Sequence, residues 1–348
     1  MNAIDSDSDE SVANEPMARR RRTFRPRINY QFYTADFKER FRFSQAGVED
    51  LLRRLGPRLA SATNRNSALN PQQRLLTALR FYSSGGFYYF TGDSHGVSKA
   101  TVYRCIRQVT SLVNELLLPQ TIKWPDGENN RASVAERFFA FAGMPSVGGC
   151  IDGTLIGIKA PEKAVEMQFV DRKGNHSLNC MAVCGPEMQF YFVDSNWPGS
   201  VNDARVLNNS AISRRFENGW TPFGGAVLLG DSGYGLSRWL MTPILSPNPT
   251  ERIEAFNRAH KKTRRLVECE IFKACCTLHN ICLAEQPAEV DEDNDRAILN
   301  QFGLEDEAAT EDEEEEDAGG REVGARDGDR RRREEGLVRQ QLLVNTFR

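Results

Sequence analysis

Four acidic residues could bring their carboxylates into one site although they lie far apart in the sequence. Asp152 ends a short apolar segment between glycines, and Asp231 ends another such segment. Asp203 begins one stretch of helical spacing, and Glu268 lies within a second. Mg²⁺ prefers oxygen ligands, and two divalent cations about 4 Å apart can activate water for in-line attack on a phosphodiester. The four acids are therefore candidate ligands of Mg²⁺ or Mn²⁺, although acids at these positions also commonly cap helices or form turns.

Other residues have types that could do chemistry. Arg264 precedes Glu268 by four residues on one helical face, where it could bind a DNA phosphate. Three further residues share a helical face and could bind zinc: Cys275, His279 and Cys282. A fourth zinc ligand with the usual spacing is absent, so buried cysteines are the favoured interpretation. His176 and Ser177 lack the nucleophile elbow of a Ser-His-Asp hydrolase.

The segments that carry the acids predict an α/β domain over residues 146–285. Short apolar runs suited to strands recur along it, at 148–151, 155–159, 178–183, 189–193 and 226–229. Helical spacing follows Asp203 and also covers 251–272. Strands followed by helices, with acids at the strand ends, are typical of a sheet covered by helices.

Residues 37–125 predict an all-helical domain that contains a helix-turn-helix. Helical spacing covers 37–59, and further helices begin after the N-cap residues Asn70 and Ser98, with glycines marking a turn between them. The polar face of the last helix carries three candidate DNA-binding residues: Lys99, Arg104 and Arg107. Such a helix can enter the major groove of DNA, although an ordinary three-helix core has similar spacing.

The formal net charge of −3 conceals opposite charges in different parts of the chain. Residues 289–317 contain 15 acids and one base, whereas residues 16–288 carry a net charge of +13. A basic body beside an acidic tail is typical of a polyanion-binding protein, and solvated surface charge explains it equally well. We assign residues 1–36 to a disordered basic arm and residues 286–348 to a disordered tail that is acidic and then basic.

Composition excludes several classes of protein. The 348 residues allow two domains, and eight cysteines without paired spacing favour a reducing compartment. No apolar run reaches the roughly 18 residues of a membrane span, and the N-terminus lacks the apolar core of a secretory signal, so we expect no membrane association. Four consecutive arginines at 19–22 fit nuclear import or phosphate binding, with a merely solubilising run as the alternative.

Several sequence motifs between about Phe37 and Leu283 resemble those of one family, both in their residues and in their order along the chain. The motifs are CIDGT at 150–154, IKAP at 158–161, RKGNHSLN at 172–179, WPGSVNDAR at 197–205, LGDSGY at 229–234, WLMTP at 239–243 and LHNIC at 278–282. Together they resemble the Harbinger/PIF-type DDE transposases, and most of all the domesticated animal nucleases of that group.

The resemblance implies an RNase H-like nuclease domain behind the N-terminal helix-turn-helix. It implies that Asp152, Asp203 and Glu268 are the catalytic acids of a two-metal DNA endonuclease, with Asp231 as a further metal ligand. It also implies a Myb-like partner protein that assists DNA binding and nuclear entry. We therefore expect duplex DNA as substrate and a location in the nucleus, with the cytoplasm as a second compartment, and a homo-oligomer stays an open alternative.

One departure from the family pattern follows Glu268. The family continues with an Arg, a Phe-Gly-x-Leu-Lys-like run and a basic aromatic stretch, whereas this chain passes directly to the late LHNIC helix. A stretch on the order of 20–30 residues, several helical turns, is missing. A skipped exon or a faulty gene model would explain it. The alternative function is therefore a protein that keeps the transposase fold and binds DNA or a partner but cleaves poorly.

Overall fold

The computed structural model describes residues 26–27, 36–63, 67–264 and 327–347. Two hydrophobic cores lie within these ranges. One is formed by helices before residue 118, and the other surrounds a five-stranded sheet. Glu268, the arginines at 19–22, Cys275, His279 and Cys282 lie outside the described residues.

The first core is built from short helices. They are α1 (Phe37–Phe41), α2 (Gln45–Leu59), α3 (Pro71–Ser84), α4 (Tyr88–His95) and α5 (Lys99–Leu112), followed by a π-helical turn at Val113–Leu117 and by α6 (Leu118–Thr121). The single helix predicted over 37–59 is wrong, because Arg42 adopts a left-handed conformation with φ 59° and Ser44 starts a new helix by accepting from the Gly47 amide.

The predicted starts of α3 and α5 are confirmed. Asn70 accepts from the Gln73 amide at 2.8 Å, the Gln73 side chain accepts in return from the Asn70 amide at 3.1 Å, and Ser98 accepts from the Thr101 amide at 3.3 Å. The segment predicted as a turn between them contains α4, which ends at Gly96 with φ 62°. A side chain at Gly96 would overlap the carbonyl of Pro26, so only glycine fits this junction.

The second core surrounds a sheet with strand order β3-β2-β1-β4-β5. Its strands are β1 (Val147–Gly157), β2 (Ser177–Cys184), β3 (Phe190–Pro198), β4 (Val227–Leu229) and β5 (Leu240–Met241). The first three strands form an antiparallel meander, and β4 and β5 are parallel to β1. The two strands predicted at 148–151 and 155–159 are one strand, because β1 stays paired with β2 from Cys150 to Gly157.

Helices cover this sheet. They are α7 (Glu128–Ala142), α8 (Asp203–Asn209), α9 (Ala211–Glu217), α10 (Glu251–Arg264) and α11 (Asp327–Val344), and a 3-10 turn lies at Glu166–Phe169. The disordered tail predicted for 286–348 is wrong for 327–347, since Leu343 and Val344 are buried in the sheet core. Arg27, assigned to the disordered arm, donates to the Gly96 carbonyl at 2.6 Å. Among the helices that the structure describes, none is both long and apolar enough to cross a membrane.

Two buried histidines predict loss of stability in acid. Burial lowers the pKa of His95 and of His260 from 6.5 to about 4, and a ring nitrogen of each contacts a carbonyl, that of Thr91 at 3.1 Å or that of Met241 at 3.2 Å. Their neutral forms therefore stabilise the fold fully above pH 6.5, and this contribution is lost as the pH falls towards 4. Each pKa unit is worth about 1.4 kcal/mol, so a loss of a few kcal/mol is expected.

Thermal melts between pH 7 and pH 4 test this expectation. The parent chain should lose Tm more steeply than a His95→Gln, His260→Gln double variant, which starts lower but has no imidazole to protonate at either position. Comparing the two profiles removes the contributions of carboxylates that titrate in the same range. Parallel profiles would show that these histidines are not the acid-sensitive groups.

Candidate active site

Strand pairing places Asp152 and Asp231 at the same level of the sheet. β1 and β4 are parallel neighbours, and Cys150 is paired with Leu229. Asp152 lies two residues after Cys150, and Asp231 lies two residues after Leu229. Because parallel neighbours run in the same direction, the two acids lie level where β4 ends. Asp231 follows a strand end as predicted, but the prediction that Asp152 ends a strand is wrong, because β1 continues to Gly157.

Asp203 reaches the same edge from the start of α8. Its Oδ1 accepts a hydrogen bond of 2.7 Å from the Asn179 amide, which also donates to the Val201 carbonyl at 2.8 Å. The carboxylate lies directly against the backbone of Gly153, where a Cβ would overlap it. The residue that follows Asp152 must therefore lack a side chain for Asp203 to lie beside it.

The charges of Asp203 and Asp231 both act on the Asp152 carboxylate. Burial raises the pKa of Asp152 to about 6, Arg264 opposes the rise, and the charges of Asp231 and Asp203 add to it. Arg264 Nη2 lies 3.3 Å from Asp152 Oδ1, and both side chains are largely buried. Arg264 was predicted to contact a DNA phosphate, and in the structure it provides a positive charge beside Asp152.

Asn179 and Tyr234 belong to the site although their types alone did not reveal a role. Asn179 orients Asp203, as described above. Tyr234 is buried, and its hydroxyl has no hydrogen-bond partner among the described residues. Burial, with the charges of Asp203, Asp152 and Asp231, raises the pKa of Tyr234, so the hydroxyl stays neutral and able to donate. The sequence did offer one sign of a role for each residue. Tyr234 lies in the motif that contains Asp231, and Asn179 lies in the motif that precedes the one with Asp203.

The donors fit a hard divalent cation, but they are not a complete ligand set. Within the described ranges, no three His, Cys, Asp or Glu side chains are grouped closely enough to hold a metal ion. Glu268, four residues after Arg264 in the sequence, lies outside those ranges. Asp152, Asp203 and Asp231 offer the carboxylate oxygens that Mg²⁺ and Mn²⁺ prefer, with Arg264 beside Asp152, and a closed ligand set would need further movement or a further ligand.

The hydrolase interpretation disfavoured above has no support in the geometry. His176 Nε2 lies 3.0 Å from Glu166 Oε1, whereas the Ser177 hydroxyl donates to Asp171 at 2.9 Å. The two side chains therefore have different partners. Ser177 is also buried, so its hydroxyl is unavailable to a substrate.

The predicted DNA-binding residues share an exposed face of α5. Lys99 lies over the Tyr89 ring at 5.0 Å, Arg107 donates to the Tyr103 hydroxyl at 3.1 Å, and Arg104 is exposed near them. The opposite face of α5 is buried through Val102, Ile106 and Val109. The predicted division of this helix into an apolar and a basic face is confirmed.

Comparison with known proteins first identifies the class of protein to which the domain with the five-stranded sheet belongs. Residues 151–272 match the family model described as DDE superfamily endonuclease, and this range includes all four acids. No solved structure matches the chain. This part of the chain is therefore a DDE superfamily endonuclease domain.

Curated relatives then define the family. A Homo sapiens protein named "Putative nuclease HARBI1" is 36% identical over 268 residues, which cover 69% of this chain and 75% of that protein. Its Rattus norvegicus namesake is 38% identical over 234 residues, with 67% and 66% covered. An Arabidopsis thaliana protein, "Protein ALP1-like", is 26% identical over 263 residues, with 64% and 63% covered. The chain belongs to the family of Harbinger transposase-derived nucleases.

The human alignment also bears on the missing segment. The alignment is 268 positions long, but the 69% of this 348-residue chain that it covers contains fewer residues than that. Some positions of the human protein therefore have no counterpart in this chain. The rat alignment of 234 residues has no such excess over its 67% of the chain. The excess in the human alignment agrees in size with the deletion predicted after Glu268.

Proposed function

We propose that this protein is a metal-dependent DNA endonuclease of transposase origin that hydrolyses phosphodiester bonds by a two-metal mechanism. The observation that carries the proposal is the convergence of Asp152, Asp203 and Asp231 at one edge of the sheet in a DDE endonuclease domain. An antiparallel β1–β3 meander followed by parallel β4 and β5 supports an RNase H-like fold for this domain.

Each side chain has a defined part in this proposal. Asp152, Asp203, Asp231 and Glu268 would hold the divalent cations, which when bound activate water and neutralise charge on the leaving oxygen. Asn179 fixes the orientation of the Asp203 carboxylate. Asp231 follows β4 by two residues and lies level with Asp152 on the neighbouring strand β1, which supports its part as a further metal ligand.

Metal binding at this edge is testable by thermal denaturation. Mn²⁺ or Mg²⁺ at 100 times its Kd should stabilise the parent chain by about 2.7 kcal/mol. Asp152→Asn should lose most of this shift, and it can even raise the Tm without metal, because one of three repelling carboxylates is neutralised. Asp126→Asn, at an exposed acid before α7, is the matched control and should keep the full shift. Equal metal shifts in all three proteins would exclude a shared site at Asp152.

We also propose that α3 to α5 act as the DNA-binding helix-turn-helix, with α5 as the recognition helix. Charge reversal of Lys99, Arg104 and Arg107 to Glu should weaken duplex binding at low salt by orders of magnitude, since each lost phosphate contact removes counterion release. A control triple variant should bind nearly as the parent does; it reverses Lys38, Arg53 and Lys123. Fluorescence titration of a labelled duplex measures both, and unchanged affinity in the first variant would refute the role of α5.

A second candidate function is favoured by the missing segment. In it, the 348-residue form binds DNA or a partner and cleaves weakly, because Glu268 is out of place. In either case we propose a nuclear location, driven by the arginines at 19–22 or by a Myb-like partner, with the cytoplasm as a second compartment and a homo-oligomer as an open alternative. A tagged chain that stays cytosolic with such a partner present would argue against nuclear entry.

A further inference from the structure

A groove of about 680 Å³ lies between α11 and the segments that follow Asp203 and Asp231 in the sequence. One wall is α11, through Arg330, Arg332 and Arg333. The opposite wall includes Ala204 and Ser232, which directly follow Asp203 and Asp231 in the sequence. The groove therefore lies next to the segments that carry Asp203 and Asp231, and three arginines line its other side.

Close contacts with the sheet domain fix the position of α11. A Cβ at Gly336 would come within 2.9 Å of Leu236 Cγ, so the helix approaches the domain at a glycine. The buried Gln340 amide donates to the Thr242 carbonyl at 2.7 Å, and Leu343 and Val344 enter the sheet core. Because these contacts set the rotation of the helix, they also determine which arginines face the groove.

Positive charge exceeds negative charge along the groove. Arg332 Nε lies 3.4 Å from Glu217 Oε2, and Glu217 also accepts from the Trp239 indole at 2.9 Å. Arg330 pairs with Glu334 at 3.0 Å, but both side chains are well exposed, and such a pair contributes little to stability. Arg333 makes no ion pair with any residue that the structure describes. Arg333 can therefore bind an anionic ligand directly, and Arg330 can do so by exchanging its exposed partner Glu334.

The groove also adjoins an unsatisfied polar atom. Tyr234 lines it and is 4% exposed, and its hydroxyl has no partner in the described part of the chain. A buried hydroxyl without a partner is unfavourable, so its position beside both the groove and the carboxylates indicates that a ligand or its bound water completes it.

We propose that α11 is a DNA-binding element, and that Arg330 and Arg333 bind phosphates of duplex DNA in this groove beside the carboxylate edge. The guanidinium fork matches phosphate oxygens, and a duplex presented to the carboxylates must have its backbone close to that edge. The inference rests on the proposed function. It assigns a role in substrate binding to a helix that the sequence predicted as part of a disordered tail.

The full chain offers a matched test on one helix. An Arg330→Gln, Arg333→Gln variant should bind a fluorescein-labelled duplex more weakly, and its slope of log K against log salt should fall by about 2, or 0.9 per phosphate contact. Arg331→Gln is the control, because Arg331 is exposed on the same helix, pairs with Glu335 and does not line the groove. Its slope should equal that of the parent. Arg332 is left in place because it pairs with Glu217.

A second measurement locates the DNA independently of charge. A photo-crosslinking residue at Leu337, which lines the groove, should cross-link to the duplex, whereas the same residue at the adjacent exposed Val338 should not. An unchanged slope in the double variant, or equal cross-linking at both positions, would overturn the role of α11 and leave the proposed function standing. A parent chain without salt-dependent duplex binding would overturn the proposed function and this inference together.

Discussion

Gly153→Ala is expected to abolish the stabilisation of this protein by Mn²⁺. The Asp203 carboxylate lies where the new methyl group would be, and the Asn179 hydrogen bond of 2.7 Å holds it there. Either the new methyl group or the Asp203 carboxylate must move. Displacing a metal-binding carboxylate by about an ångström is enough to lose the geometry of the site. The thermal shift at saturating Mn²⁺, expected to be a few kcal/mol in the parent, should fall close to zero.

The same strand supplies a matched control for this prediction. At Gly157, four residues further along β1, a Cβ would meet nothing within 4 Å. Gly157→Ala should therefore retain the full Mn²⁺ shift, and duplex binding through α5 should be the same in both variants. If Gly153→Ala kept the parent's metal shift, Asp203 would not be a ligand of the cation.

Local signals allowed much of the helical part to be predicted. Asn70, Pro71 and Ser98 mark helix starts through hydrogen bonds that span three residues, so the sequence alone contains the information. The break at Arg42 was missed because a left-handed non-glycine residue has no reliable signature in sequence. α4 was missed because glycines are typical of turns and aromatic residues have only moderate helix propensity, whereas here contacts with α3 and α5 stabilise the helix.

The geometry of the site depended on contacts that no local pattern contains. That Asp152 and Asp231 are level follows from the parallel pairing of β1 with β4, which joins residues almost 80 positions apart. The Arg264–Asp152 contact likewise needs α10 to lie across the sheet. α11 has charged residues along much of its length, so the sequence gives no clear apolar face for it. Its packing face became evident only from the structure, in which Gly336, Gln340 and Leu343 contact the sheet domain.

The position of α10 bears directly on Glu268. Arg264 ends the described part of this helix beside Asp152, and Glu268 comes four residues later. One further turn of helix would carry Glu268 about 6 Å along the same face, close to the carboxylate edge. In this chain, however, Glu268 is followed directly in the sequence by residues that the family places in a later helix. The sequence predicts that this later helix would have its own apolar face, with Phe272, Cys276 and Leu278.

We therefore expect the 348-residue chain to bind Mn²⁺ and duplex DNA but to nick supercoiled plasmid only near the background rate. Packing of the later helix would pull Glu268 out of register, and catalytic geometry tolerates about half an ångström of error. Inserting after Glu268 the segment of the human relative that is missing here should increase Mn²⁺-dependent nicking by orders of magnitude. Glu268→Gln in the restored chain should return nicking to background while leaving duplex affinity unchanged. Strong nicking by the 348-residue chain itself, abolished by Glu268→Gln, would show instead that the two helices fuse and hold the glutamate in place.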